Sequence, residues 1–234
     1  MDLDFELQAA NWQGAHELAL EGLKGAPEDL TLWYARALAA AGLTTHDLDR
    51  SKEALLAAQK IAALAAGSDV RLDPAPLQSL LQALRAYWLQ QLYDARRKDM
   101  ARDKPDNINY GLQMISGDLA MNTYASTHSA KIANILEAVQ TLQPHLDLSP
   151  DTLRTLFEAS NSLYRAGFHK ALNQETVQRM QAALGAMHRQ VKEQNPGYVP
   201  PKTVSSSGCA VTLFLLASGA SGLLTVAVLL LAAA

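Results

Sequence analysis

The feature that most constrains this chain is a run of 26 residues, 209–234, that contains no charged side chain. A helix needs about 20 predominantly apolar residues to cross the hydrocarbon core of a bilayer. The run is long enough to span a membrane, and buried core helices seldom extend this far. We therefore predict one transmembrane helix at residues 209–234.

The position of this run predicts a single-pass C-terminal tail anchor, inserted after translation with its free end carried across the bilayer. Arg189, Lys192 and Lys202 lie on its N-terminal side, and no basic residue follows it. Because basic residues are retained on the cytoplasmic side, we expect a cytoplasmic body. The acidic start of the chain does not resemble a signal peptide, and the single cysteine, Cys209, cannot form an internal disulfide.

Two alternatives remain for the apolar run: a buried core helix, and a re-entrant hairpin bent at its glycines. Small residues four apart in its middle form a stripe that lets helix backbones approach closely. The stripe consists of Ala217, Ser218, Ser221 and Gly222. It predicts helix packing in the membrane and a homo-oligomer, although membrane helices are generally rich in small residues.

The composition of the remaining chain favours helices. Alanine and leucine dominate, aromatic residues make up 6%, and prolines lie between periodic segments. Residues 195–208, NPGYVPPKTVSSSG, predict a flexible linker, because proline cannot continue a helix. We predict an all-α fold of antiparallel helical hairpins with one transmembrane helix. The alanine-rich composition also indicates a bacterial origin.

A spaced pattern of aromatic and small residues occupies residues 1–66. Its members are the run NWQGA at residues 11–15, Gly22, Pro27, Trp33 and Ala37. The pattern resembles about one and a half tetratricopeptide repeats, from the turn and bulky aromatic residue to the closing proline. The resemblance implies antiparallel hairpins in which Ala15 and Gly22 let the helices pack closely and Trp12 and Trp33 fill the gap between successive hairpins. Arg36 departs from the pattern, because an apolar residue is usual there, and the turn after Gly42 is longer than standard.

Helical-repeat domains usually bind a peptide or helix on their concave face. The resemblance therefore implies a partner-binding groove. Its candidate positions are Tyr34, Arg36, Ala37 and Ala41. The alternative is that the large aromatic side chains of this region belong to the core.

Periodic segments predict a further helical bundle over residues 67–194. Its helices run from Asp73 to Lys98, from Ser149 to Gly167 and from Asn173 to Gln194, and the stretch from Ile108 to Leu142, which contains glycines, forms one interrupted helix or two. The helix that precedes the bundle, at residues 47–66, is interpreted as the second half of the second repeat. The stretch from Ile108 to Leu142 has an apolar face that consists of Ile132, Ile135, Leu136, Val139 and Leu142. In the helix at 47–66 the large apolar residues are Leu55, Leu56, Ile61 and Leu64.

The sequence contains none of the common signatures of enzyme chemistry. It has no glycine-rich phosphate loop, paired cysteines, His-Glu-x-x-His run or Gly-x-Ser-x-Gly elbow. None of its six histidines lies three or four residues from another. We predict no catalytic, cofactor-binding or metal-binding residues, and the net charge of −3 predicts no nucleic-acid partner.

These observations predict a non-enzymatic, membrane-tethered helical-repeat adaptor that recruits or organises a protein partner at the cytoplasmic face of a bilayer. One alternative is a membrane-acting effector whose C-terminal helix oligomerises and permeabilises the bilayer. A second is an enzyme with an unrecognised helical active site, which requires a pocket with converging titratable groups.

Overall fold

The computed structural model describes residues 2–102, 128–167 and 174–200 of the chain. The chain divides into one unit of Met1–Pro196 and another of Gly197–Ala234, of which residues 197–200 are described. The described residues form eight α-helices and one 3₁₀ turn, with one isolated bridge between Leu72 and Leu146 and no strand. The predicted all-α fold class is confirmed.

The helices of the described residues follow one another along the chain. Their bounds are α1, Leu3–Gln8; α2, Trp12–Gly25; α3, Leu30–Gly42; α4, Ser51–Leu64; α5, Ala75–Arg102; α6, residues 128–142; α7, Pro150–Gly167; and α8, Gln174–Gln194. The 3₁₀ turn at Gln143–His145 follows α6. In the first part of the body, α2 packs against α1 and α3, and α3 also packs against α1, α4 and α5. Farther along, α7 packs against α5 and α8. This packed bundle is compatible with helical repeats.

Two glycines bring α2 and α3 into close antiparallel contact. A Cβ atom added at Gly42, the last residue of α3, would lie 2.5 Å from the indole of Trp12, the first residue of α2. At the other end of the pair, a Cβ at Gly22 would lie 2.8 Å from Leu32 Cδ1. Glycine is therefore required at position 42, where the neighbour is a rigid indole, whereas at position 22 the end of the flexible Leu32 side chain can shift. Trp12 fills the space between the two helices.

Side-chain caps define where several helices begin. Asp29 Oδ1 accepts hydrogen bonds from the backbone N–H groups of Thr31 (2.8 Å) and Leu32 (3.0 Å) at the start of α3. Ser149 Oγ accepts from Thr152 N at 3.1 Å before α7. These bonds satisfy backbone donors that have no partner within the helix. The predicted bounds of α7 and the predicted end of α8 at Gln194 match the structure.

The predicted apolar face of α6 is buried, with all five of its large residues at most 2% exposed. The large apolar residues of α4 differ from one another in burial. Ile61 is buried, whereas Leu56 is 65% exposed and Leu55 and Leu64 are half-buried. The core face of α4 consists instead of Ala54, Ala57 and Ala58 together with Ile61. An alanine stripe faces the core because α4 packs closely against α3, which leaves no room for larger side chains.

Among the described residues, the helices are too short or too polar to cross a bilayer. The predicted transmembrane helix at residues 209–234, with its stripe of Ala217, Ser218, Ser221 and Gly222, lies outside the described residues. Residues 103–127, which include the first part of the helix predicted from Ile108, also lie outside them, as does Asn173. In the predicted linker, the described residues 195–200 are not helical.

Candidate functional site

Four ionisable side chains from three helices meet at the surface of the N-terminal part of the body. His16 comes from α2, Arg36 from α3, and Arg50 and Glu53 from the start of α4. We call these four residues the charged seam. They come together because α2 and α4 both pack against α3, so that side chains from all three helices can meet at one edge.

Glu53 lies at the centre of the charged seam. Its Oε1 accepts a hydrogen bond from Arg36 Nε at 3.0 Å and forms an ion pair with Arg36 Nη2 at 2.9 Å, and its Oε2 accepts a hydrogen bond from Arg50 Nη1 at 3.0 Å. His16 Nε2 lies 3.0 Å from Glu53 Oε1 and 3.3 Å from Arg50 Nη1. One ring nitrogen cannot both donate to the carboxylate and accept from the guanidinium. We assign the shorter contact, donation from His16 to Glu53, as the hydrogen bond.

The seam holds Glu53 in its ionised form. Burial raises the pKa of this carboxyl group, but the hydrogen bonds from His16, Arg36 and Arg50 outweigh burial and place the pKa below its ordinary value. With His16 counted as neutral, two guanidinium groups and one carboxylate leave a formal charge of +1. The seam is therefore a small cationic site and not a balanced ion pair.

The guanidinium groups remain accessible at the edge of the helices. The side chains of Arg36 and Arg50 are 26% and 34% exposed, whereas that of His16 is 4% exposed. The guanidinium carbon of Arg36 lies 5.1 Å from the centre of the Trp33 ring, and Trp33 Nε1 donates to the carbonyl oxygen of Pro27 at 2.8 Å. The indole thus supports one face of the Arg36 guanidinium, and both arginines can meet a ligand from solvent.

The four predicted groove residues differ in how deeply the structure buries them. Tyr34, Ala37 and Ala41 are 4% or less exposed, and Arg36 alone is half-buried. The hydroxyl of Tyr34 donates to the carbonyl oxygen of Asp73 at 2.8 Å, and burial raises the pKa of this phenol. Four other helices pack against α3. The side chains of Tyr34, Ala37 and Ala41 therefore belong to the core. A partner-binding role for Arg36 stays a prediction that its position in the seam supports.

The long connection between α3 and α4 is held in place by residues distant in sequence. Lys131 Nζ from α6, which is buried, donates to the carbonyl oxygens of Thr45 at 2.8 Å and His46 at 2.9 Å. The hydroxyl of Tyr87 from α5 accepts from His46 N at 2.7 Å. These bonds satisfy backbone groups of a connection that is longer than a standard repeat turn, and they fix the chain that leads to Arg50.

A second polar network fixes the start of α4. Arg179 of α8 donates through Nε and Nη2 to the two oxygens of Glu137, each at 2.7 Å, and through Nη2 to Asn134 Oδ1 at 2.8 Å. Asn134 Nδ2 donates to Ser51 Oγ at 3.0 Å, and Ser51 Oγ donates to Asp49 Oδ1 at 2.7 Å. The network therefore runs from α8 through α6 to the residues beside Arg50. Sequence reasoning missed it, because Asn134 and Ser51 are 83 positions apart.

Two histidine rings contact each other at a tilt of 55° beside the connection from α3 to α4. The ring centres of His46 and His128 lie 4.6 Å apart, and that of His128 lies 5.1 Å from Trp88. Burial, with smaller contributions from His46 and Lys131 and opposed by Asp47, lowers the pKa of His128 to about 4. Within the described parts of the chain, no three His, Cys, Asp or Glu side chains are arranged to hold a metal ion. His128 therefore packs between His46 and Trp88.

The chain matches no protein-family model, no curated protein and no solved structure. Its resemblance to tetratricopeptide repeats therefore rests on the residue pattern and on the packed helices that are compatible with it.

Proposed function

We propose that this protein is a non-enzymatic, membrane-tethered adaptor of tetratricopeptide-like hairpins that binds a protein partner at the cytoplasmic face of a bilayer. The observation that carries the proposal is the charged seam, in which Arg36 and Arg50 remain partly exposed around Glu53. Arginine and tryptophan side chains are enriched among the residues that dominate protein interfaces, and Trp33 stacks on Arg36. The seam therefore suits protein recognition.

The tether is supported by the 26 uncharged residues at 209–234 and by the proline- and serine-rich residues 195–208 before them. A flexible linker lets the helical body turn relative to the bilayer, so the seam can meet a partner in several orientations. A net charge of −3 gives the chain no general attraction to nucleic acid or to anionic lipid. The partner is thus a protein, and it is recognised locally.

The test of the tether compares the full chain with a variant that lacks residues 209–234. We expect the full chain to remain in the membrane fraction after an alkaline wash, which removes peripheral proteins, and the shortened chain to appear in the supernatant. Recovery of the full chain in the supernatant without detergent would contradict the tether.

The test of partner binding places a photo-crosslinking amino acid at Lys52, the exposed neighbour of Glu53 in α4, in the full chain. The matched control carries it at Gln82, which is exposed on α5. We expect one defined protein adduct from position 52 and not from position 82. Identical adducts at both positions, or none at position 52, would count against an adaptor that binds through the seam.

A membrane-acting effector is the second candidate, and the small-residue stripe at Ala217, Ser218, Ser221 and Gly222 favours it. In this function the transmembrane helices associate through the stripe and permeabilise the bilayer. Dye release from vesicles containing the full chain, abolished by Gly222→Ile, supports the effector. Intact vesicles at the same protein density support the adaptor.

A further inference from the structure

The two arginines of the charged seam retain hydrogen-bond donors that no described residue uses. A guanidinium group has five N–H donors. Arg36 donates a hydrogen bond to Glu53 through Nε, and Arg50 donates through Nη1. The Nε atom of Arg50 is buried and has no hydrogen-bond partner within the described part of the chain, so a ligand from solvent does not reach it. The donors offered to a ligand are the remaining terminal N–H groups of the two side chains, which are 26% and 34% exposed. The seam can therefore accept an additional anion without losing its internal bonds.

The charge of the seam selects among possible anions. Arg36 and Arg50 carry +2 and Glu53 carries −1, so with His16 counted as neutral the seam carries +1. One carboxylate brings this charge to zero. A phosphate group carries about −1.5 to −2 near pH 7 and would place excess negative charge beside Glu53. Charge complementarity thus favours a carboxylate.

We propose that the charged seam binds a carboxylate side chain within an acidic segment of the partner protein. The inference rests on the proposed adaptor function and names the chemistry of its partner. The planar guanidinium forks of Arg36 and Arg50 match the geometry of a carboxylate. Trp33 holds the Arg36 plane from one side, and the aliphatic part of the bound glutamate or aspartate packs beside the indole.

The test measures binding of a fluorescein-labelled hexaglutamate peptide to the full chain in nonionic detergent, with hexaglutamine as the neutral probe. We expect hexaglutamate to bind and hexaglutamine not to bind. Arg36→Gln and Arg50→Gln each weaken hexaglutamate binding about tenfold, the loss expected for one charge-assisted contact. Arg85→Gln is the matched control, since Arg85 is exposed on α5, and it leaves the affinity unchanged.

Glu53→Gln separates recognition from a structural role. Removal of this carboxylate frees donors on both arginines and raises the formal charge of the seam from +1 to +2, so hexaglutamate binds about tenfold more tightly at low salt. A seam that only joins helices gives lower stability and no gain in affinity. Arg36→Lys keeps the charge but removes the planar fork, and it lowers affinity severalfold. Circular dichroism melting confirms that each variant is folded.

Equal hexaglutamate affinity in the wild type, Arg36→Gln, Arg50→Gln and Arg85→Gln overturns the inference. Arginine-dependent binding to phosphatidylserine vesicles without binding to hexaglutamate also overturns it, in favour of a lipid surface. If the adduct at position 52 forms while hexaglutamate fails, the adaptor stands and the carboxylate chemistry falls. If the alkaline wash releases the full chain while arginine-dependent hexaglutamate binding persists, the tether falls and the chemistry of the seam stands.

Discussion

The two halves of the helical body are packed from different side chains. Most of the buried apolar residues of α3 and α4 are alanines, namely Ala35, Ala37, Ala39, Ala40, Ala41, Ala54, Ala57 and Ala58. In α5 and α6 large residues predominate, including Leu77, Leu80, Leu81, Leu84, Trp88, Ile132, Ile135 and Leu136. The first half therefore depends on close approach of helix backbones, whereas the second depends on filling volume.

This difference explains why the candidate site lies in the first half. Helices that approach closely leave little apolar volume to bury, so polar side chains at their edges lie near one another. His16, Arg36 and Glu53 come from three separate helices and still lie within hydrogen-bond distance. In the second half, long-range polar bonds such as Arg179 to Glu137 tie helices together around a large apolar core.

The largest effect is expected in the second half. Trp88→Ala removes a fully buried indole at 0% exposure and leaves a cavity, which costs about 3–5 kcal/mol of unfolding free energy. Chemical denaturation of the full chain in detergent, followed by circular dichroism, measures the loss. A loss below about 1 kcal/mol would show that this half does not depend on filled volume.

Overpacking is expected to have a smaller effect in the first half. Gly42→Val places a side chain where a Cβ already lies 2.5 Å from the indole of Trp12, and this costs about 1–3 kcal/mol. Gly25→Ala is the matched control, because a Cβ there meets nothing within 4 Å. Equal denaturation midpoints for the two variants would contradict close packing of α2 on α3.

Acid is expected to weaken the region where the two halves meet. In the folded protein the pKa of His128 is about 4, below the ordinary value of about 6.5. Between these two pH values the unfolded chain binds more protons than the folded protein. The free energy of unfolding therefore falls as the pH decreases from about 6.5 to 4. We expect a loss of about 1–2 kcal/mol from this group. Burial and then Lys192 lower the pKa of His188, which adds loss of the same sign.

The variant His128→Phe keeps a ring beside Trp88 and removes the titrating group. Denaturation midpoints measured from pH 7 to pH 4 should fall less steeply in this variant than in the wild type, with the remaining slope due to His188 and other groups. Parallel slopes in the two proteins would exclude His128 as a source of acid sensitivity.

The smallest effect tests the alanine face of α4. Leu56→Ala changes a side chain that is 65% exposed, and we expect a change of about 0.5 kcal/mol or less. Ile61→Ala changes a buried residue of the same helix and should cost about 2–4 kcal/mol. Thermal unfolding of the two variants side by side ranks them, and a larger loss for Leu56→Ala would reverse the assignment of the core face.

Core faces were predicted correctly from the sequence where the buried side chains are large. The apolar face of α6 was predicted correctly because large residues at helical spacing seldom point anywhere but the core. In α4 the sequence assigned no core face, since alanine is compatible with both buried and exposed positions. The structure buries three alanines of this helix and leaves Leu56 65% exposed. Three of the groove positions predicted on α3, namely Tyr34, Ala37 and Ala41, are buried in the structure. The sequence did not indicate this burial, because the number of helices around α3 has no local signature.

The candidate site was visible in the sequence only through Arg36, which departs from the repeat pattern. Its partner Glu53 lies 17 positions away, and His16 lies 37 positions from Glu53. No local rule connects charged residues at such separations. The sequence by itself determined the helical fold class, the bounds of α7, the C-terminal ends of α6 and α8, and the charge-free run at 209–234, because propensity, capping and hydrophobicity act over a few residues. Only the tertiary structure decided which charges meet and which faces are covered, because those outcomes depend on how closely whole helices approach one another.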